Sequence, residues 1–369
     1  MKKIFISIIF IMAACATACA DIVYTNEGGG VGLVEITASS KSATHKGIQY
    51  TSNIPGAVIA SFWENNTSNG DGNSKLILIS PDLSTDTTVS GDRAYIFNPS
   101  TLTQPANEVS KPFRLVGSYG TPKVVQTETG NTLYVATDTG LREYYTAGLG
   151  LRNTYAPTSK DFNIKEDPVV IDVVNVGYAS IVLVGRNATS GDALITLDGK
   201  FDSQGEVKVR HDNYAIASLS SGLAVGNATG VITVSGSTSK DLFTTAAPVV
   251  SICRDSGSGF YYVVSGDGLY HYKDENNKDV SLTKNSGAND KVMNAGNNIL
   301  VAIAGTKLAF YNMEDDTSIT SFDVAPTSIA TRTTSGQSGG SGGSGCSVGG
   351  VGFVMMAALF MSLARRRKS

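Results

Sequence analysis

The chain has 369 residues, of which 40 are glycine, 41% are apolar and only 17% are charged, with a formal net charge of -3. That length holds two average domains or one large all-β domain, and the near-neutral balance excludes the strongly basic surface of a nucleic-acid binder. Six of the 29 basic residues but none of the 32 acids lie in the two apolar ends, so the part between them carries -9.

Met1 to Ala20 opens with Lys2 and Lys3, runs through apolar residues from Ile4 to Ala14 and finishes Ala18-Cys19-Ala20. A basic start, a short apolar run and small residues before Asp21 predict a secretory signal peptide cleaved after Ala20. A retained membrane helix needs a longer run, about 20 residues. Lipoprotein processing at Cys15 or Cys19 is the other alternative, but Met12 and Ala16 stand where a branched aliphatic residue is usual.

From Asp21 to Arg332 no long segment keeps a helical period, while short Val, Ile, Leu, Tyr and Phe runs alternate with Gly, Asn, Asp, Ser and Thr clusters. This predicts antiparallel strands joined by tight turns. The hairpins around Leu141, Leu269 and Leu308 repeat one pattern at intervals of 128 and 39. Pro122, Pro168, Pro248 and Pro326 each precede a candidate inner strand, as a residue without a ladder donor should. The period near 40, with about four strands per unit, predicts an all-β β-propeller over residues 21–332.

Inner strands are expected near Val58, Val124, Val169, Ile216, Val249, Lys291 and Ile329. The last has no chain after it to complete a blade, so the strands Ile22–Thr25, Gly32–Thr37 and Lys46–Thr51 are expected to join it. That makes seven blades, closed by N- and C-terminal strands, which leaves no long sheet edge open. Six or eight blades stay open because 61–92 and 214–245 read as irregular, and a solenoid is the rival fold.

Residues 333–346 form a Gly/Ser-rich linker, and 347–369 hold an apolar run from Val348 to Ala364 followed by Arg365-Arg366-Arg367-Lys368. The composition predicts a tether, then a short membrane helix with its basic flank kept cytoplasmic. Gly345-Cys346-Ser347, the glycine-containing apolar run and the arginine cluster resemble the Synergist-type C-terminal sorting tail of diderm bacteria. The resemblance covers about the last 35 residues and implies cleavage near Cys346 by a membrane protease, with lipid attachment as a further option. A plain membrane anchor is the simpler alternative.

Few residues carry an obvious chemistry. His45, His211 and His271 fall in different blades and offer no spacing for convergent metal ligands, so no metal or other cofactor is expected. His271 alternates with Tyr270 and Tyr272 as a structural histidine, and Cys253 sits in an apolar strand with no partner in the domain. Asn69, Asp71 and Asn73 are spaced like calcium donors, but Ser74 and Ser80 replace the glycine and acid such a loop needs. Asp138, Asp192, Asp267 and Asp316 read as turn residues.

In a propeller, the turns between second and third strands share a face with the blade-to-blade connections, and that face usually binds ligands. These turns are long at 81–92 and 186–192, which makes Arg93, Arg186 and Asp192 the candidate ligand-binding residues. The expected function is an exported, envelope-attached, non-catalytic binding or scaffold protein for a protein, peptide or glycan. A lactonase-like or glycan-cleaving hydrolase is the alternative, for which only Asp167 and Asp172 stand near an inner strand. A structural envelope component is the third.

Overall fold

The computed structural model describes residues 20–27, 30–37, 40–51, 60–64, 75–80, 93–97, 111–112, 123–126, 132–137, 140–145, 151–162, 168–176, 179–185, 191–255, 257–280, 290–296 and 298–333. Among them are seven four-stranded antiparallel sheets, numbered I to VII in chain order. Sheet I contains β1 (Ala20–Asn26), β2 (Gly30–Thr37) and β3 (Ser42–Thr51), with a fourth strand from the far end of the chain. Sheet II is β4 (Ala60–Glu64), β5 (Lys75–Ser80), β6 (Arg93–Phe97) and β7 (Lys111–Pro112). Sheet III is β8 (Lys123–Gln126), β9 (Thr132–Thr137), β10 (Gly140–Tyr145) and β11 (Leu151–Tyr155), followed by the single-turn helix α1 (Ser159–Phe162).

Sheet IV is β12 (Val169–Val176), β13 (Ala179–Gly185), β14 (Asp192–Leu197) and β15 (Ser203–Val209). Sheet V is β16 (Asn213–Leu219), β17 (Gly222–Asn227), β18 (Gly230–Ser235) and β19 (Thr238–Thr244). Sheet VI is β20 (Val249–Arg254), β21 (Phe260–Val264), β22 (Gly268–Lys273) and β23 (Asn276–Asp279). Sheet VII is β24 (Lys291–Asn294), β25 (Ile299–Ala304), β26 (Lys307–Asn312) and β27 (Thr317–Asp323), after which β28 (Pro326–Thr333) returns to sheet I.

In that return Ala20 pairs with Thr333 and Asn26 with Pro326, so β28 lies inside β1 as the first strand of sheet I. The apolar interior is divided into layers between consecutive sheets. Val174, Leu183 and Leu194 of sheet IV pack on Ile216, Val225 and Ile232 of sheet V. Cys253, Tyr261 and Val263 of sheet VI pack on Leu300, Ala302 and Tyr311 of sheet VII. Tyr24, Val34 and Ile36 of sheet I pack on Met293, Val301 and Phe310 of sheet VII, joining the first and last sheets. Each inner sheet therefore buries both faces, which is why its second and third strands are apolar almost throughout, as in β13, β17, β21 and β25. The outermost strands β11, β19 and β27 are largely polar, with every residue exposed or half-buried. The fold is all-β and β-propeller-like.

Residues 214–245, read from the sequence as irregular, are the regular sheet V. Its strands are disguised by small residues. Gly226 has one direct reason: a Cβ there would lie 2.8 Å from both Cγ1 and the carbonyl oxygen of Val249, so sheets V and VI approach backbone to side chain. The first strand of sheet II is described from Ala60; Val58, where the sequence predicts an inner strand, lies outside the described residues.

The sheets share a common polarity. The turns between second and third strands and the connections between sheets lie at one end, the entry face. The remaining turns lie at the other, where Lys41 of the β2–β3 turn bonds Asn312 at 3.0 Å and pairs with Glu314 beside the β26–β27 turn. Ala20 and Thr333 also lie at this second end, the terminus face.

Candidate functional site

At the start of the inner strands the ladder carries one extra residue in four sheets. Thr327 is left over between Pro326 and Ser328, Ile171 between Val170 and Asp172, Tyr214 between Asn213 and Ala215, and Val250 between Val249 and Ser251. Such a bulge re-aims a side chain and bends its strand. Here the extra residues all sit at the entry face. Thr327 is buried and Ile171 and Val250 are half-buried, whereas Tyr214 is 38% exposed.

Beside Tyr214 the connection from β15 to β16 is built around Asp192. Gly191 precedes it at φ 67, with no room for a Cβ 2.6 Å from the carbonyl oxygen of Val209. Asp192 is 1% exposed. Its Oδ1 accepts from Nδ1 of His211 at 3.0 Å, and its Oδ2 accepts from the backbone N–H and the Nδ2 of Asn213 at 3.1 and 2.7 Å. The Asp192 N–H donates in turn to the Arg210 carbonyl at 3.3 Å. One buried carboxylate thus holds His211 and Asn213, and the backbone N–H of the same residue holds Arg210, across the junction of sheets IV and V.

The outward result is a held histidine. His211 stays one-third exposed, with Nε2 3.1 Å from the exposed Asp212 carboxylate, and the exposed Tyr214 follows three residues later in the chain. Arg210 pairs with Asp241, but both are more than half exposed, so that pair contributes little. Inside the junction Asn213 Oδ1 is a buried oxygen without a hydrogen-bond partner among the described residues.

Asp192 is therefore misread by the sequence as a loop residue open to ligand. It is a buried anchor, because three N–H groups of the following connection converge on it and outcompete water. Arg93 is placed as the first residue of β6 in sheet II, in register with Ser80 and Pro112, whereas Asp192 opens β14 in sheet IV. Arg186, the loops 81–92 and 186–190, Asp167, the 69–73 turn and Cys346 lie outside the described residues. Ala20 is the first residue of β1. His211 and Tyr214, which the sequence reading did not select, are the exposed members of the site; the polar run Arg210-His211-Asp212-Asn213 before an apolar strand was the available signal. Asp172 is fully buried, with Oδ1 accepting from Val173 N–H at 2.8 Å and Oδ2 from Ile216 N–H at 3.1 Å, so it is a bracket between inner strands rather than an acid facing substrate.

The terminus face holds a second histidine cluster. His271 is buried between Asp255 Oδ2, 3.2 Å from Nε2, and Asp316 Oδ1, 2.8 Å from Nδ1. The Tyr261 hydroxyl also donates to Asp316 Oδ1 at 2.8 Å, and its ring stacks on the imidazole at 4.0 Å. Burial, followed by the Asp316 carboxylate, pushes the Tyr261 hydroxyl far above its ordinary range, so it remains a donor. Burial alone would raise the Asp255 carboxyl, but the His271 bond and the Gly257 and Gly259 N–H groups outweigh it and hold the group below the usual value.

A group depressed on folding stabilises the fold above its unfolded pKa, and that contribution is lost as pH falls through the folded value. Asp255→Asn is therefore expected to flatten the acid limb of a stability-against-pH curve below about pH 4, near the ordinary Asp value. Equal acid losses in the variant and the parent chain, measured by denaturant unfolding between neutral and acid pH, would rule this out. Among the described residues no group of three or more His, Cys, Asp or Glu is placed to hold a metal ion. His45 is likewise engaged, 2.6 Å from the Tyr24 hydroxyl.

No protein-family model matches the chain, and no curated protein matches it. Among solved structures it is similar to the computationally designed Ika8 protein, with 10% identity and a TM-score of 0.50 over 83% of this chain and 87% of that one. It is also similar to apo AztD from Citrobacter koseri, at 10% identity and 0.49 over 83% and 82%, and to a protein from Lactobacillus plantarum, at 11% and 0.49 over 85% and 99%. At these identities the likeness concerns fold alone.

Proposed function

We propose that the chain is an exported, envelope-attached propeller of seven blades, closed by β28 on β1, that binds a protein, peptide or glycan through its entry face without chemistry of its own. Residues 1–20 are its export signal, and residues 347–369 are its sorting tail, an apolar segment that holds the chain at the membrane until a sorting protease cleaves near Cys346. The observation that carries the binding role is the junction of sheets IV and V. There a buried carboxylate, Asp192, holds His211 one-third exposed, and the exposed aromatic Tyr214 stands three residues later, at the bulge that opens β16. An exposed aromatic and a polar group of fixed orientation on one connection supply contact area and directional bonds at low entropic cost.

Photo-crosslinking from Thr229, an exposed entry-face residue, in intact cells followed by partner identification tests this role. Tyr214→Ala with His211→Ala is expected to lower the crosslink yield about tenfold or more, as loss of a central aromatic contact does. An unchanged yield from a variant that keeps its β circular dichroism would sink the proposal.

The same pair motivates a second reading, a hydrolase in which Asp192 orients His211 as general base. That role needs a nucleophile or water within about 3 Å of Nε2, where Asp212 now stands. Turnover of esters, lactones or glycosides that disappears in His211→Gln would favour it over binding.

A further inference from the structure

We infer that the terminus face is held toward the membrane and that the entry face, with Tyr214 and His211, points away from it, so the face proposed above for binding is turned away from the lipid headgroups of the anchoring bilayer. This rests on the reading of residues 347–369 as the membrane attachment.

The argument starts from β28. This strand begins at Pro326 opposite Asn26 and ends at Thr333 opposite Ala20, so both chain ends of the domain leave from one face. The inner strands run alongside one another in register: Asp172 of β12 accepts from Ile216 of β16, and Ser251 of β20 from Val292 of β24. Their beginnings, with Tyr214 among them, therefore lie at the face opposite Thr333. The strand β28 is also the first of its sheet, with β1, β2 and β3 outside it, so the tail departs from the inner edge of sheet I rather than its rim.

Chain length then decides the orientation. Residues 334–345 are the Gly/Ser spacer before Cys346. Twelve residues reach about 42 Å when fully extended and have a root-mean-square span of about 19 Å for such a composition. To lay the entry face on the membrane, the tail would have to pass three strand spacings outward and an eight-residue strand upward. That path is about 41 Å. It takes up the whole of the taut spacer and is more than twice its mean span, whereas the terminus face needs no detour. Tyr214 and His211 are thereby carried on the far side of the domain from the bilayer.

Two exposed turn residues of sheet V report the orientation: Thr229 between β17 and β18 at the entry face, and Ser220 between β16 and β17 at the terminus face. The full-length chain carrying Thr229→Cys or Ser220→Cys is labelled with a donor dye and reconstituted in phosphatidylcholine vesicles with an acceptor-labelled lipid. Each variant is read against the parent chain, which has Cys15, Cys19, Cys253 and Cys346. The two positions are about 20 Å apart along the strand direction, so transfer from Ser220 is expected to be at least about twice that from Thr229. Equal or reversed transfer with the chain bound to vesicles overturns the inferred orientation. Failure of the full-length chain to float with vesicles overturns the attachment reading itself, and the inference with it.

Discussion

Replacing His271 with alanine is expected to cost about 3–5 kcal/mol of stability, the loss typical of breaking a buried ion pair by removing one partner. The imidazole lies between two carboxylates that only accept, Asp255 on the β20–β21 turn and Asp316 on the β26–β27 turn, and so clamps sheet VI to sheet VII at the terminus face. Without it, two nearly buried acids face each other across the junction, and the Tyr261 ring loses its stacking partner. The penalty is the desolvation of unpaired charge rather than the worth of the two bonds. At about 1.5 °C per kcal/mol for a domain of about 310 residues, the melting temperature should fall by about 5–8 °C. Removing the charges along with the partner should restore much of it: His271→Leu with Asp255→Asn and Asp316→Asn is expected to recover more than half the loss. Scanning calorimetry at one scan rate checks both. A shift under about 2 °C for His271→Ala would mean that the junction relaxes around the two acids.

The features that repeat could be read in advance, and those built by contact between sheets could not. The leucines at 141, 269 and 308 all open the third strand of a sheet, β10, β22 and β26, so their spacing reported the repeat directly. The orphan strand after Pro326 had to pair somewhere, and it pairs with β1. Sheet V escaped because Ala215, Ala217, Gly222, Ala224 and Gly226 carry too little apolar bulk to show alternation, although their burial is complete or nearly so. Asp192 follows Ser190-Gly191 and has the local chemistry of a turn, yet its role is set by Asn213 and His211 from the next sheet's approach. Similarly, nothing adjacent to His271 in sequence announces Asp255 and Asp316, which lie 16 and 45 residues away. Local propensity records which strands exist; the polar contacts between sheets come from distant residues that no periodicity connects.

The inner-strand junctions show how one position can be satisfied in different ways, and this leads to a second test. After the bulge, sheet IV places Asp172, whose Oδ2 accepts from Ile216 N–H of sheet V at 3.1 Å. Sheet VI places Ser251 at the equivalent position, and its Oγ accepts from Val292 N–H of sheet VII at 3.2 Å. Sheet V has Ala215 there, and its junction with sheet VI relies instead on the close approach of Gly226 to Val249. Asp172→Ala leaves the buried Val173 and Ile216 amides without their acceptor, each costing about 1–3 kcal/mol, so a loss of about 3 kcal/mol is expected. Asp172→Asn should do little better, because its amide turns a donor toward one of the two N–H groups. Asp172→Ser copies the arrangement already present between sheets VI and VII and should lose less than half as much as alanine. Denaturant unfolding of the three variants separates a specific acceptor from simple filling of space. If serine and alanine destabilise equally, the hydroxyl does not reach across at this junction, and Asp172 is held by its own bulge rather than by the neighbouring strand.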